Sequence, residues 1–252
     1  MDYSVSSEYN LRLLPRVIFC NVERSRMKPV LTIDRMILEA RAFCERESSY
    51  SSKELYGITD GKAIGTMIEH KFQNHLSEIY DYERGSSANG IDLPSALLNT
   101  DIKVTSIKQP QSSCPFRNAR QKIYGLGYNL LLFVYKKVDD HNNATSTLDF
   151  LNSSFINKER TGDYQTTIAL RQMLENQANR DDIFAYLSDR NLPADEIILN
   201  ELTEEILRNT PQQGYLTVSN ALQWRLQYGR IVKLAEDVNG IVTIIKKPIT
   251  DD

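Results

Sequence analysis

The sequence has few of the features that would mark a secreted, membrane-bound or zinc-dependent chain. Three cysteines in 252 residues, Cys20, Cys44 and Cys114, are too few and too widely spaced for a disulfide framework or a zinc site, and they fit a reducing cytoplasm. The three histidines, His70, His75 and His141, also lack metal-ligand spacing. No apolar run approaches the roughly 20 residues that a membrane span needs. The opening residues, MDYSVSSEYNLRLLPRVIFC, hold no basic region followed by an apolar stretch, so no secretory leader is expected. Glycines are not clustered with phosphate-loop spacing, which argues against nucleotide-driven chemistry. A formal net charge of −3 offers no global attraction to a polyanion. Internal repeats and low-complexity tracts are absent.

What is present is ordinary in bulk and uneven in distribution. Hydrophobic residues make up 41% and charged residues 25% of the chain, enough for one core or a core with a small appended module. From Lys103 to Lys137 the chain carries Lys103, Lys108, Arg117, Arg120, Lys122, Lys136 and Lys137 and no carboxylate. That stretch reads either as a basic groove for a polyanion or as a solvated face. The spacing of apolar residues predicts a helix over Thr32–Glu45, and a longer one from Asp60 or Gly61 to Tyr80 carrying Ile64, Met67, Ile68, Phe72, Leu76 and Ile79. After a Gly/Ser-rich turn the period changes. Asp101–Ser106 alternates like a strand, Leu130–Tyr135 is a continuous apolar run of strand length, and Thr147–Ile156 is a weaker strand. Phe116–Leu126 fits a short helix. Tyr164–Asn176, Asp181–Leu187 and Pro193 to about Arg208 read as helices, followed by one that Ser219 would cap.

The end of the chain carries a hairpin signal, Asn239–Gly240 between the β-rich runs Ile231–Leu234 and Ile241–Ile245. Helix, helix and two-stranded wing is the order of a winged helix. The expectation is therefore an α/β core with a mixed sheet flanked by helices over residues 1–160, and a helical, winged-helix-like subdomain over 161–252.

The segment with chemistry in it is Gly90-Ile91-Asp92-Leu93-Pro94 followed by Asp101-Ile102-Lys103-Val104-Thr105-Ser106. Alternate strand residues share a face, so Asp101 and Lys103 project together. A carboxylate that can hold a hard divalent cation then stands beside an ammonium that can steer a water or offset phosphate charge. The Ile102 carbonyl lies between them and can complete a metal shell, and Asp92 offers a second carboxylate. Glu69 lies close to the apolar stripe of the preceding helix, as either an auxiliary acid or a solvated helix carboxylate.

An Asp, a short spacer and Asp-x-Lys, preceded by a helix carrying Glu, resembles the PD-(D/E)xK nuclease superfamily over roughly Gly61 to Tyr135. The Asp-Leu-Pro context and the following Lys-Val-Thr-Ser are most similar to its MutH-like branch and to type II restriction endonucleases. Ile91 stands where Pro is commonest, and Asp101 where Glu is. The resemblance implies Asp92, Asp101 and the Ile102 carbonyl as Mg²⁺ ligands, Lys103 as the water-positioning base or electrostatic partner, and Glu69 as an auxiliary acid. It further implies hydrolysis of double-stranded DNA leaving 5′-phosphates, a homodimer matched to a palindromic target, a prokaryotic cytoplasm and a cognate DNA methyltransferase. Two other readings stay open: a MutH-like repair nickase, and a non-catalytic winged-helix DNA-binding regulator. Candidate DNA contacts are Lys108, Gln109, Gln111, Ser112, Ser113 and Arg117 in the polar loop after the strand, which reads equally as a surface connection fixed by its prolines, and Arg120 and Lys122 fit either backbone clamps or solvated side chains. Arg225, in the expected recognition-type helix with Trp224 and Tyr228, is a candidate guanine reader, whereas the i, i+4 spacing of those two aromatics fits a core better.

Overall fold

The computed structural model describes residues 28–85, 90–114, 118–190, 192–219 and 225–249. Helix α1 (Ile33–Ser48) starts at Thr32, whose side chain accepts a hydrogen bond from the Arg35 N–H. It buries Met36, Ala40, Phe43 and Cys44. Helix α2 (Gly61–Ile79) is capped by Asp60, which accepts from the Lys62 N–H at 2.9 Å, and it buries Ile64, Ile68, Phe72 and Leu76. Both caps satisfy N–H groups that the first helical turn leaves unpaired.

The main sheet is built from β1 (Ser51–Ser52), β2 (Thr100–Ser106), β4 (Asn129–Asp140), β5 (Thr145–Ile156) and β8 (Ile241–Lys246). Its order is β1-β5-β4-β2, with β8 also paired to β5. β2 runs parallel to β4 and the other pairs are antiparallel, so the sheet is mixed, as the sequence predicts. The unbroken apolar run of β4 has a simple cause. Leu131, Phe133 and Tyr135 pack into the cluster under α1 and α2, while Leu130, Leu132 and Val134 pack into a second cluster on the opposite face. A strand covered on both sides cannot afford alternation.

That second cluster is roofed by a small antiparallel sheet of β3 (Gln111–Ser113), β7 (Arg225–Gln227) and β6 (Thr217–Val218), in the order β3-β7-β6, and by the short helix α7 (Gly229–Lys233). A third cluster joins α3 (Arg120–Tyr124), α4 (Tyr164–Glu175), α5 (Arg180–Ser188) and α6 (Glu196–Arg208) through Ile123, Leu170, Ile183, Leu187 and Ile206. No described helix is long and apolar enough to cross a membrane.

The end of the chain departs from the winged-helix expectation. Arg225 lies on a strand, and Tyr228 is fully buried in the core; Trp224 falls outside the described residues. Residues Ile231–Lys233, expected as a strand, belong to the short helix α7, which buries Ile231 and Val232. The Asn239–Gly240 turn does form, with Gly240 at φ 88° and a single bridge from Val238 to Ile241. β8 then leaves the turn to pair with β5. An isolated two-stranded hairpin is marginal in water, whereas the edge of a large sheet offers a full ladder and a buried face. The segment after residue 160 is thus tied into the sheet built before it.

Candidate active site

The site forms at the edge of β2 that faces away from β4. Leu93 and Thr100 exchange both backbone hydrogen bonds at 3.0 Å, and the chain between them turns through Ser95–Asn99, with Asn99 at φ 37°. Asparagine tolerates this left-handed backbone better than most residues. The pairing sets Asp92 beside Ile102, whose N–H donates to Asp92 Oδ2 at 2.7 Å. A strand residue points its N–H and C=O toward the same side. The Ile102 carbonyl therefore also faces this free edge, where a cation can reach it.

Ile102 and Val104 pack into the core under α1 and α2. Asp101 and Lys103 alternate with them and project from the opposite face, with Lys103 Nζ 2.6 Å from Asp101 Oδ2. Glu69 arrives from α2. The three carboxyl groups meet, because Asp101 and Glu69 each share a hydrogen bond with Asp92. Burial, then the hydrogen bond and the charge of Asp92, push Glu69 up to about 8. Asp101 is raised to about 7: burial is the main cause, Lys103 opposes it, and Asp92 adds to it. Burial alone would disfavour the Lys103 ammonium, but the attraction of Asp101, with Asp92 beside it, outweighs burial and raises that group. Such a nest of partly buried carboxyls, with Glu69 and Asp101 both raised well above their ordinary range, has the electrostatics of a cation site or an acid–base centre. Among the described residues no three His, Cys, Asp or Glu side chains form a ready-made metal cluster. A cation here would take Asp92, Asp101, the Ile102 carbonyl and water.

Sequence reasoning missed Gln73. It lies one helical turn beyond Glu69, and its Nε2 donates to Asp92 Oδ1 at 3.2 Å while Arg84 holds its Oε1 from behind. The i, i+4 spacing from Glu69 was a visible signal for it.

A groove of ≈ 610 Å³ opens over the site, lined among others by Glu69, Lys103, Gln109, Gln111, Ser113 and Arg225. Ser112 also borders it, with its hydroxyl engaged by the Tyr228 hydroxyl. Lys108 is exposed on the turn after β2. The acid-free stretch does not form one basic face. Arg120 makes a two-pronged ion pair with Glu205, and Lys122 is only 3% exposed, because α3 packs into the helical cluster. Neither lines the groove, so neither is placed as a backbone clamp. Lys137 pairs with Asp139 on the far half of β4. Arg117 lies outside the described residues.

Comparison with known proteins meets this geometry from another direction. Residues 30–243 match the family described as type II restriction enzyme NspV. The type II restriction enzyme NspV of Nostoc sp. (strain ATCC 29411 / PCC 7524) is 54% identical over 217 residues, which cover 86% of this chain and 98% of that relative. No solved structure matches. The expectation of a type II restriction endonuclease is met: the chain belongs to the NspV family of type II restriction enzymes, site-specific deoxyribonucleases.

Proposed function

We propose that the chain hydrolyses both strands of a short double-stranded DNA sequence with Mg²⁺ as cofactor, leaving 5′-phosphates. The observation that carries this reading is the meeting of Glu69, Asp92 and Asp101 at the free edge of β2, beside Lys103, under an open groove. The donor set suits a hard cation, since every available atom is an oxygen and each carboxylate oxygen keeps a lone pair beyond its present hydrogen bond. Held by Asp92, Asp101 and the Ile102 carbonyl, Mg²⁺ supplies charge neutralisation at the phosphate and a more acidic water.

The protein's own groups do the rest. Lys103 positions the attacking water or offsets phosphate charge, and its ammonium is aimed by Asp101. Glu69, leaning on Asp92, is the auxiliary acid that accepts or returns a proton. Gln73 keeps the Asp92 carboxylate turned toward the edge of β2. Lys108, Gln109, Gln111, Ser113 and Arg225 contact the DNA, whereas Ser112 holds its hydroxyl on Tyr228 at the alternate position. A homodimer matches the two-fold symmetry of a palindromic site, and in a prokaryotic cytoplasm a cognate DNA methyltransferase protects the host's own copies of that site.

The test is direct. Purified protein and unmethylated phage DNA should give discrete bands with Mg²⁺ and none without it. Nicked circles alone would assign a nickase, and a mobility shift without cleavage in either condition would sink the hydrolytic reading. Lys103→Ala should abolish cleavage and leave duplex binding intact, and a wild-type rate in that variant would remove Lys103 from the mechanism.

A further inference from the structure

We propose that the exposed face of the three-stranded sheet reads the target sequence, with Gln111, Gln227 and Arg225 meeting base edges in the DNA major groove and Ser113 and Thr217 flanking them. This rests on the DNA-cleaving reading above and adds the residues that would choose the site.

Strand register assembles the group. Gln111 lies opposite Gln227, which lies opposite Thr217, so three side chains form one row across the sheet. Ser113 lies opposite Arg225 in the next row on the same face. Leu226 and Val218, on the alternate positions, are buried in the core beneath. Arg225, Gln227 and Ser113 are exposed, and Gln111 and Thr217 are half-buried. None of the five side chains has a hydrogen-bond or ion-pair partner among the described residues. Two amides, a guanidinium and two hydroxyls thus point outward with their bonding capacity unspent.

The chemistry favours bases over phosphates. A surface built to hold phosphate is rich in lysine and arginine, because affinity there comes from charge. Here four of the five groups are neutral, and they are the amide and hydroxyl types that discriminate donor and acceptor patterns in the major groove. Glutamine pairs in two-pronged fashion with adenine, and arginine with guanine. Dimensions agree. Three strands about 4.8 Å apart span about 10 Å, close to the roughly 12 Å width of the major groove. Two rows along a strand lie about 6.8 Å apart, which is two base-pair steps of about 3.4 Å.

The platform is also tied to the chemistry. Thr105, two residues beyond Lys103 on the same face of β2, hydrogen-bonds both the N–H and the carbonyl of Gln111, at 3.2 and 3.1 Å. Gln111, Ser113 and Arg225 line the same groove as Lys103 and Glu69. Gln227 and Thr217 border an adjoining depression of ≈ 570 Å³ that carries Arg230 and Lys233, cations suited to the phosphates beyond. A duplex with its scissile phosphate at Lys103 would therefore bring its base edges over the sheet.

The experiment starts by sequencing the ends that the wild type leaves on phage DNA, which gives the cognate site. Single-turnover cleavage is then measured on the cognate duplex and on duplexes with each base pair substituted in turn, for the wild type and for Gln111→Ala, Gln227→Ala and Arg225→Ala. Each variant should lose about 10–100-fold of the wild-type discrimination at one base pair, an A·T pair for the glutamines and a G·C pair for the arginine, and keep it at the others. Uniform slowing on all duplexes with discrimination unchanged would overturn the inference, because it would mark the residues as backbone contacts. Gln227→Glu removes the amide donor while keeping the shape, and full adenine discrimination in that variant would overturn the inference as well. A wild type that cuts no site defeats the DNA-cleaving reading itself, whereas a discriminating wild type with unaltered variants defeats only the assignment of the sheet.

Discussion

The two sheets treat their polar side chains in opposite ways. In the main sheet the polar groups beside β2 are buried or half-buried and spoken for: Asp101 is 4% exposed and bonded to Lys103, and Asp92, half-buried, is held by the Ile102 N–H and by Gln73. On the outer face of the small sheet, Gln111, Arg225 and Gln227 have no partner among the described residues. Groups that do chemistry gain from being desolvated and locked, since both sharpen their electrostatics. Groups that read a partner must keep their hydrogen bonds free until it arrives. Each sheet is built accordingly, one covered on both faces and the other on only one.

Stability tests this contrast most strongly. Phe133 on β4 sits within an aromatic cluster, its ring centroid 5.2 Å from Phe72, 5.8 Å from Phe43 and 5.9 Å from Phe150. Phe133→Ala should cost about 3–5 kcal/mol in denaturant unfolding, through lost burial and a cavity that close packing cannot collapse. Gln227→Ala and Arg225→Ala, on the exposed face, should stay within about 0.5 kcal/mol of the wild type. A comparable loss from either exposed position would mean that the outer face of the small sheet is covered by something the contrast leaves out.

Much of the first region was legible in the sequence, and for a physical reason. Helices α1 and α2 announce themselves through the local spacing of their apolar residues. Asp101 and Lys103 are two positions apart, and Asp92 and Asp101 are nine positions apart, so strand periodicity and one turn suffice to bring them together. The second region was not legible. β3 and β7 are three residues each, pair across more than a hundred positions (Gln111 with Gln227), and carry too short a pattern to register as strands. The closing hairpin failed in a different way. Its Asn-Gly turn was read correctly, but a local signal cannot reveal that β5, far back in the chain, offers β8 a better edge than Ile231–Leu234 does. Likewise, the lysines and arginines between 103 and 137 look continuous in sequence and are dispersed by the fold into the groove, the helical cluster and the far end of β4.

Acidity separates the regions next. Glu69 and Asp101 titrate at about 8 and about 7, well above their ordinary values of 4.5 and 3.8. Once the pH exceeds those ordinary values the unfolded chain gives up these protons while the folded one keeps them. The folded state then binds more protons, and stability falls as pH rises. The contribution is complete below about pH 4, declines through about pH 7 to 8, and levels off above that. Melting of the metal-free protein against that of Asp101→Asn should therefore show the wild type losing ground steadily across this window, and a gap that does not change with pH would contradict the buried-carboxyl picture. Mg²⁺ should raise the melting temperature more at the alkaline end, where it no longer competes with protons. Gln227→Ala should leave the whole profile in place, because the small sheet's outer face carries no carboxyl.

The smallest expected effect concerns a residue that belongs to neither sheet and yet was a sequence candidate for gripping DNA. Arg120 holds Glu205 through Nε and Nη2, with contacts of 3.0 and 2.6 Å, and the pair spans α3 and α6 at a partly exposed position. The side chains are 52% and 31% exposed, so solvent screens the attraction, and Arg120→Ala should cost about 0.2–1 kcal/mol, toward the upper end because the contact is two-pronged. Cleavage rate, site choice and the salt dependence of DNA binding should not move, since the guanidinium is held by Glu205 and does not line the groove over Lys103. If Arg120→Ala instead lowers the salt slope of binding by about 1, the side chain reaches a phosphate. The helical cluster would then belong to the DNA-contacting surface, and the division of labour would run through three regions where the proposed reading has two.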